Sequence, residues 1–247
     1  MDPVGILKTL LAVALYPGGA YLAAVALCLQ SGARLPRGAA ALTPRDVAAL
    51  VAACIAAALA PIPGSPLTNI AQAPASGSAT NLIAASLLAA TAIALVAPPV
   101  WGRRRLIAAS AAISPTLLLG TAAATLSLPT IASLSGSVLV AGRALAVAAV
   151  AAAAPLLVGP YDTRSSRPSR LAVLASIGVL GAALAAGSWL ARFPWPAGAA
   201  IVLASIAGYG LLTRLVRRLI AGEHAALVIA SAAPAAAAVS LLLAGRT

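Results

Sequence analysis

Long apolar runs and short polar interruptions alternate along the entire chain. Each run approaches the roughly 20 mostly apolar residues that a helix needs to cross a bilayer. The pattern predicts eight helices, at about 4–30, 46–62, 81–101, 105–127, 138–158, 171–191, 196–219 and 223–244. A membrane barrel would need segments of about ten residues alternating apolar and polar, and none of the runs alternates in that way. Helices remain, because they satisfy their own backbone in lipid. The first run begins close to Met1 without a charged start or a small-residue cleavage site, so it is expected to stay as a helix.

Composition places these helices in a membrane. The 247 residues are 62% hydrophobic and 8% charged, with a mean hydropathy of +1.04, which leaves too little polar surface to cover a soluble globule. No stretch stands apart as a soluble unit, so residues 1–247 read as one polytopic membrane domain. The net charge of +12 does not point to nucleic acid, because the bases form small groups between apolar runs instead of a continuous face. They follow the membrane instead. The first loop carries Arg34, Arg37 and Arg45, the third Arg103, Arg104 and Arg105, the fifth Arg164, Arg167 and Arg170, and the seventh Arg214, Arg217 and Arg218. The second and fourth loops carry none, the sixth only Arg192 and the tail only Arg246. Since arginine collects on the cytoplasmic side, the expected fold is an all-α bundle of eight transmembrane helices with both termini outside, in the inner (cytoplasmic) membrane.

Ionisable residues at membrane depth are costly and mark function by default. Lys8, near the outer end of the first helix, either snorkels or serves as a proton or ion-pair site. Arg143 lies about a turn inside the fifth helix, where it either snorkels or pairs with a neighbouring subunit. Glu223 suits the N-terminus of the eighth helix, where the helix dipole favours an anion. His224, the single histidine, is either a proton carrier or an interfacial residue. No second histidine or cysteine accompanies it to make a metal site, and Cys28 and Cys54 fall in apolar runs where a thiol acts as a small hydrophobe. Asp162, in the stretch Y-D-T-R-S-S-R-P-S-R at 161–170, is one of four acidic residues and shares its loop with three arginines. Prolines and glycines within the runs, among them Pro17, Gly18 and Gly19 in the first, either kink helices for packing or break them around a transport site.

In order and spacing the chain resembles the membrane-anchor family shared by respiratory complex I (NADH-quinone oxidoreductase) and the membrane-bound [NiFe] hydrogenases. The resemblance is carried by L-Y-P-G-G at 15–19, by G-R-R-R-L-I-A-A-S-A-A-I-S-P-T-L-L-L-G-T-A-A-A-T-L-S-L-P-T-I at 102–131, by P-L-L-V-G-P-Y-D at 155–162 and by Y-G-L-L-T-R-L-V-R-R-L-I at 209–220. It implies eight core spans and partners comprising other membrane subunits and a peripheral hydrogenase-like or quinone-reductase-like arm, with iron-sulfur and metal centres in those partners and no cofactor held by this chain except a possible quinone. The chain departs from the family where acids matter. Residues 29–38 keep arginines but lack the family's glutamate, Ser114 and Pro115 stand where its fourth helix carries one, and the long Glu-rich fifth loop is reduced to a short one with Asp162. A proton relay needs titratable groups at intervals, so the resemblance implies the scaffold role and not the pump.

Three functions follow from these observations. The first is a non-catalytic anchor and coupling subunit of a multisubunit oxidoreductase, whose cytoplasmic arginines, with Asp46 and Asp162, dock the peripheral arm and set its register. In that reading Asp162 pairs with the arginines and Asp162→Asn loosens the arm without removing the protein from the membrane. The second is a stand-alone secondary transporter for a small solute, which would predict related halves; residues 1–127 and 128–247 show no convincing repeat. The third, an integral-membrane enzyme, lacks the histidine and acidic clusters that such chemistry uses.

Overall fold

The computed structural model describes residues 3–33, 41–67, 82–96, 166–190 and 192–219. These form six helices with no β-strand among them: α1 (Pro3–Ala14), α2 (Gly19–Ala33), α3 (Pro44–Ala58), α4 (Leu82–Val96), α5 (Arg167–Leu190) and α6 (Trp195–Leu219). The helices expected at 105–127, 138–158 and 223–244 lie outside the described residues, as do both chain ends.

The first apolar run is interrupted where one continuous helix was expected. Backbone N–H groups of Tyr16 and Gly18 reach back to the carbonyls of Leu11 and Ala12, wider turns than an α-helix makes, and the Tyr16–Pro17 peptide is cis. Gly18 permits the turn, because a Cβ there would lie 2.0 Å from the Val13 carbonyl oxygen. Proline removes a donor and glycine admits the backbone contact, so L-Y-P-G-G encodes the interruption locally. Measured through it, Pro3–Leu29 is the one described helical stretch long and apolar enough to cross a membrane.

α3 begins where T-P-R-D places a capping residue, a proline at the first helical position and an acid at the third. α5 starts four residues earlier than the apolar pattern suggests. Ser166 caps it, its carbonyl accepting from Arg170 N–H and its hydroxyl from Ser169 N–H, and Pro168 is tolerated in the first turn where no intrahelical donor is missed. Arg167 and Arg170 are therefore helical residues. At its far end α5 tightens through Arg192 and Phe193 N–H bonds to Trp189 and Leu190, and α6 follows after Pro194.

α5 is the central helix, packed against α2, α3, α4 and α6. Leu171 to Leu180 are buried without a break, as expected of a helix apolar on all sides. Small residues bring its neighbours close: α3 buries Ala49, Ala52, Ala53, Ala56 and Ala57. Val47 and Val51 on the other side of that helix are exposed, as are Leu7 and Leu10 of α1, Leu27 of α2, Leu87 of α4 and Leu211 of α6, whereas Leu50 and Ile55 of α3 are partly buried. Contacts between helix ends fix the directions. The N-termini of α3 and α5 meet the C-terminal turn of α4 at one end, while the N-termini of α2 and α6 meet the chain after α3 at the other.

Candidate functional site

The end of the bundle where α3 and α5 begin is organised around Asp46. This carboxylate is only 3% exposed. One oxygen accepts from Thr43 N–H at 3.0 Å and Thr43 Oγ1 at 2.7 Å, while Thr43 Oγ1 in turn accepts from Asp46 N–H at 3.2 Å. The other oxygen accepts from Ser166 N–H at 2.9 Å and Ser169 Oγ at 2.6 Å, 120 and 123 residues along the chain. Ser169 has one hydroxyl proton and gives it to Asp46, so Ser166 Oγ is the donor in the short bond between the two serines.

Two capping motifs thus share one acid. Each helix N-terminus exposes unsatisfied N–H groups and the positive end of its dipole, and Asp46 answers both at once. It lies in the cap of α3, ahead of the apolar stretch that begins at Val47. Burial alone would raise its pKa; the hydrogen bonds from Ser169, Thr43 and Ser166 outweigh burial and hold the carboxyl well below the usual carboxylate range. The acid is therefore a fixed anion and a clamp. A group held so firmly charged is poorly suited to carrying protons near neutral pH.

The arginines around this clamp are not equivalent. Arg45 is exposed and its guanidinium donates to the Ala94 carbonyl at 3.1 Å, capping the last turn of α4, where a cation suits the helix dipole. Arg170 is 1% exposed, one of the largest fully buried side chains described. Arg167 is partly buried beside α2 and α3. Arg214, Arg217 and Arg218 are carried on the last turns of α6, which run toward the same end. Asp46 and Arg170, grouped by sequence with the docking loops, are thus internal residues that shape the end of the bundle. Arg34, Arg37, Arg103, Arg104, Arg105, Arg143, Asp162, Arg164, Glu223 and His224 lie outside the described residues. Lys8 stands on the exposed face of α1, far along the chain from this cluster.

The opposite end is aromatic. Tyr16 Oη donates to the Pro63 carbonyl at 2.7 Å and Tyr21 Oη to the Ala199 carbonyl at 3.1 Å. The two tyrosine rings meet edge to face with centroids 5.0 Å apart, and Trp195 packs on Tyr16 at 6.2 Å. Gly64, at φ +76°, turns the chain after α3 so closely that a Cβ would lie 2.9 Å from Trp195 Cβ. Among the described residues no group of three His, Cys, Asp or Glu side chains is placed to hold a metal, and Cys28 and Cys54 form no disulfide.

No known family, curated protein or solved structure matches the chain. Sequence reasoning missed Thr43, Ser166 and Ser169. T-P-R-D is a readable cap signal at 43–46 and S-R-P-S a weaker one at 166–169, but neither reveals that the two helices share an acid.

Proposed function

We propose that the chain is a non-catalytic membrane-anchor and coupling subunit of a complex I-like or membrane-bound-hydrogenase-like oxidoreductase, multi-pass in the inner membrane with eight spans and both termini outside. The observation that carries the membrane part is the set of leucine and valine side chains left exposed on five helices, Leu7, Leu10, Leu27, Val47, Val51, Leu87 and Leu211 among them, while alanines pack the buried face of α3. Water penalises such an exterior, whereas lipid accepts it and rewards close packing of small residues within. The exposed hydroxyls agree. Thr9, Thr91 and Ser205 each donate to the carbonyl four residues earlier on their own helix, at 2.8 Å in each case, which satisfies them without water.

The docking role is supported by the Asp46 clamp, which fixes the ends of α3 and α5 and with them the exposed Arg45 and the partly buried Arg167 in one place. A rigid basic end suits an acidic partner surface by charge complementarity. The identity of that partner rests on the resemblance at residues 15–19, 102–131, 155–162 and 209–220. The interruption between α1 and α2 favours a second reading, a secondary transporter, because such folds build their solute sites from discontinuous helices.

One purification separates the two. The tagged native protein is extracted in mild detergent and everything that stays bound is identified by mass spectrometry. Iron-sulfur and other membrane subunits in fixed proportion are the expected result. Recovery of the chain alone, or only as a homo-oligomer, sinks the anchor reading and favours solute transport.

A further inference from the structure

A cavity of about 370 Å³ lies where α2, α3 and α5 meet. Its wall is apolar, built from Leu22, Ala26 and Leu27 of α2, Leu50 of α3 and Leu171 of α5. Along α2 it extends from Gly19 to Leu27, about 12 Å at the α-helical rise, so it is a slot parallel to the helices. Leu27, on that wall, is 69% exposed, which places one side of the slot at the outer surface of the bundle.

One charged residue stands among those that line the slot, and it is Arg167, in the first turn of α5. Its Nε is buried with no hydrogen-bond partner. A buried guanidinium nitrogen without an acceptor is costly, and the N-terminus of α5 adds positive potential beside it. Asp46, in the adjoining first turn of α3, is already saturated by Thr43, Ser166 and Ser169. The complement of this site is a molecule with a hydrocarbon chain for the slot and anionic oxygens for the guanidinium, a pairing that phosphate makes well.

We propose that the slot binds an anionic phospholipid of the surrounding bilayer, with an acyl chain laid along α2 and a phosphate oxygen accepting from Arg167. This rests on the membrane reading above. Gly19, Ala23 and Ala26 keep the slot open by having little or no side chain, and Arg167 sets the preference for a negative head.

The test uses the full-length protein reconstituted in vesicles of equal parts phosphatidylglycerol and phosphatidylcholine, extracted in mild detergent and analysed by native mass spectrometry with lipid quantification. The wild type retains phosphatidylglycerol over phosphatidylcholine by about fivefold, the order expected of one basic side chain at an anionic surface. Arg167→Gln brings the ratio to about one, Arg167→Lys keeps most of it, and Ala26→Phe, which fills the slot, lowers retention of both lipids. Equal retention of the two lipids by the wild type, an undiminished ratio in Arg167→Gln, or a neutral amphiphile held in place of phospholipid overturns the proposal. Should Ala26→Phe fail to fold, the Arg167 pair decides alone. Alkaline extraction of membranes tests the underlying reading separately: release without detergent sinks the membrane assignment, whereas a protein that stays embedded but shows no lipid preference sinks only the lipid site.

Discussion

The two ends of the bundle are joined by different kinds of force. At one end a single carboxylate takes four hydrogen bonds from two helix caps, and at the other three aromatic rings pack around irregular chain and give hydroxyl protons to backbone carbonyls. The first arrangement depends on charge and direction. The second depends on area and shape, and its hydrogen bonds join neutral partners. Hydrogen bonds to a charged group contribute about 1.5–3 kcal/mol each against about 1 for neutral pairs, so the Asp46 end should fail abruptly when its one acid is changed. The aromatic end should weaken in steps.

Removing the acid gives the largest expected effect. Asp46→Ala leaves Ser166 N–H, Ser169 Oγ and both Thr43 donors without their acceptor, at a cost of about 3 kcal/mol. For a chain of this length that lowers Tm by roughly 6–12 °C, measured by circular dichroism of the detergent-solubilised protein. Asp46→Asn keeps the shape and one accepting oxygen, so it should lose about half as much. Equal stability of wild type and Asp46→Ala would show that the clamp holds nothing.

At the aromatic end the most damaging single change is in the turn. Gly64→Val forces a β-branched residue to φ +76° and drives its Cβ against Trp195; strain at such a position costs about 2 kcal/mol. The tyrosine hydroxyls come next. Tyr16→Phe and Tyr21→Phe should each cost about 1 kcal/mol, and because the two hydroxyls serve different carbonyls while the ring contact is kept in every variant, the double variant should approach the sum. A double variant far worse than the sum would mean that the hydroxyls act as one unit, and the contrast between the two ends would narrow.

Legibility in the sequence divides along the same line. What is encoded locally could be read: apolar runs gave helices at α3, α4 and α6 within a few residues, and L-Y-P-G-G marked a kink in the first run. The start of α5 was displaced because arginine and serine look like loop residues, although Ser166 and Pro168 are compatible with a helix start. The role of Asp46 was half visible, since T-P-R-D signals a cap. Its second partner set, Ser166 and Ser169, was not visible at all, because no local pattern reports contact across 120 residues. Asp162 stands out in sequence for the arginines of its loop, whereas the acid that organises the described end, Asp46, has a single adjoining arginine, Arg45, between the Thr43–Pro44 cap signal and the apolar run from Val47.

The response to pH is the smallest effect over the working range and the sharpest way to separate the ends. Asp46 has a folded pKa held below its ordinary value, so it binds fewer protons folded than unfolded, and its contribution to stability is complete above the unfolded value of about 3.9. From pH 8 to pH 5 the difference in Tm between wild type and Asp46→Asn should therefore stay constant. Below about pH 4 that difference should shrink as the wild-type carboxylate is forced to take up a proton, and Tyr16→Phe, measured alongside, should keep its own offset from wild type throughout. A wild-type advantage already falling between pH 7 and 5 would mean that the acid is not saturated by its four donors, and the clamp would have to be redrawn as a proton-binding site.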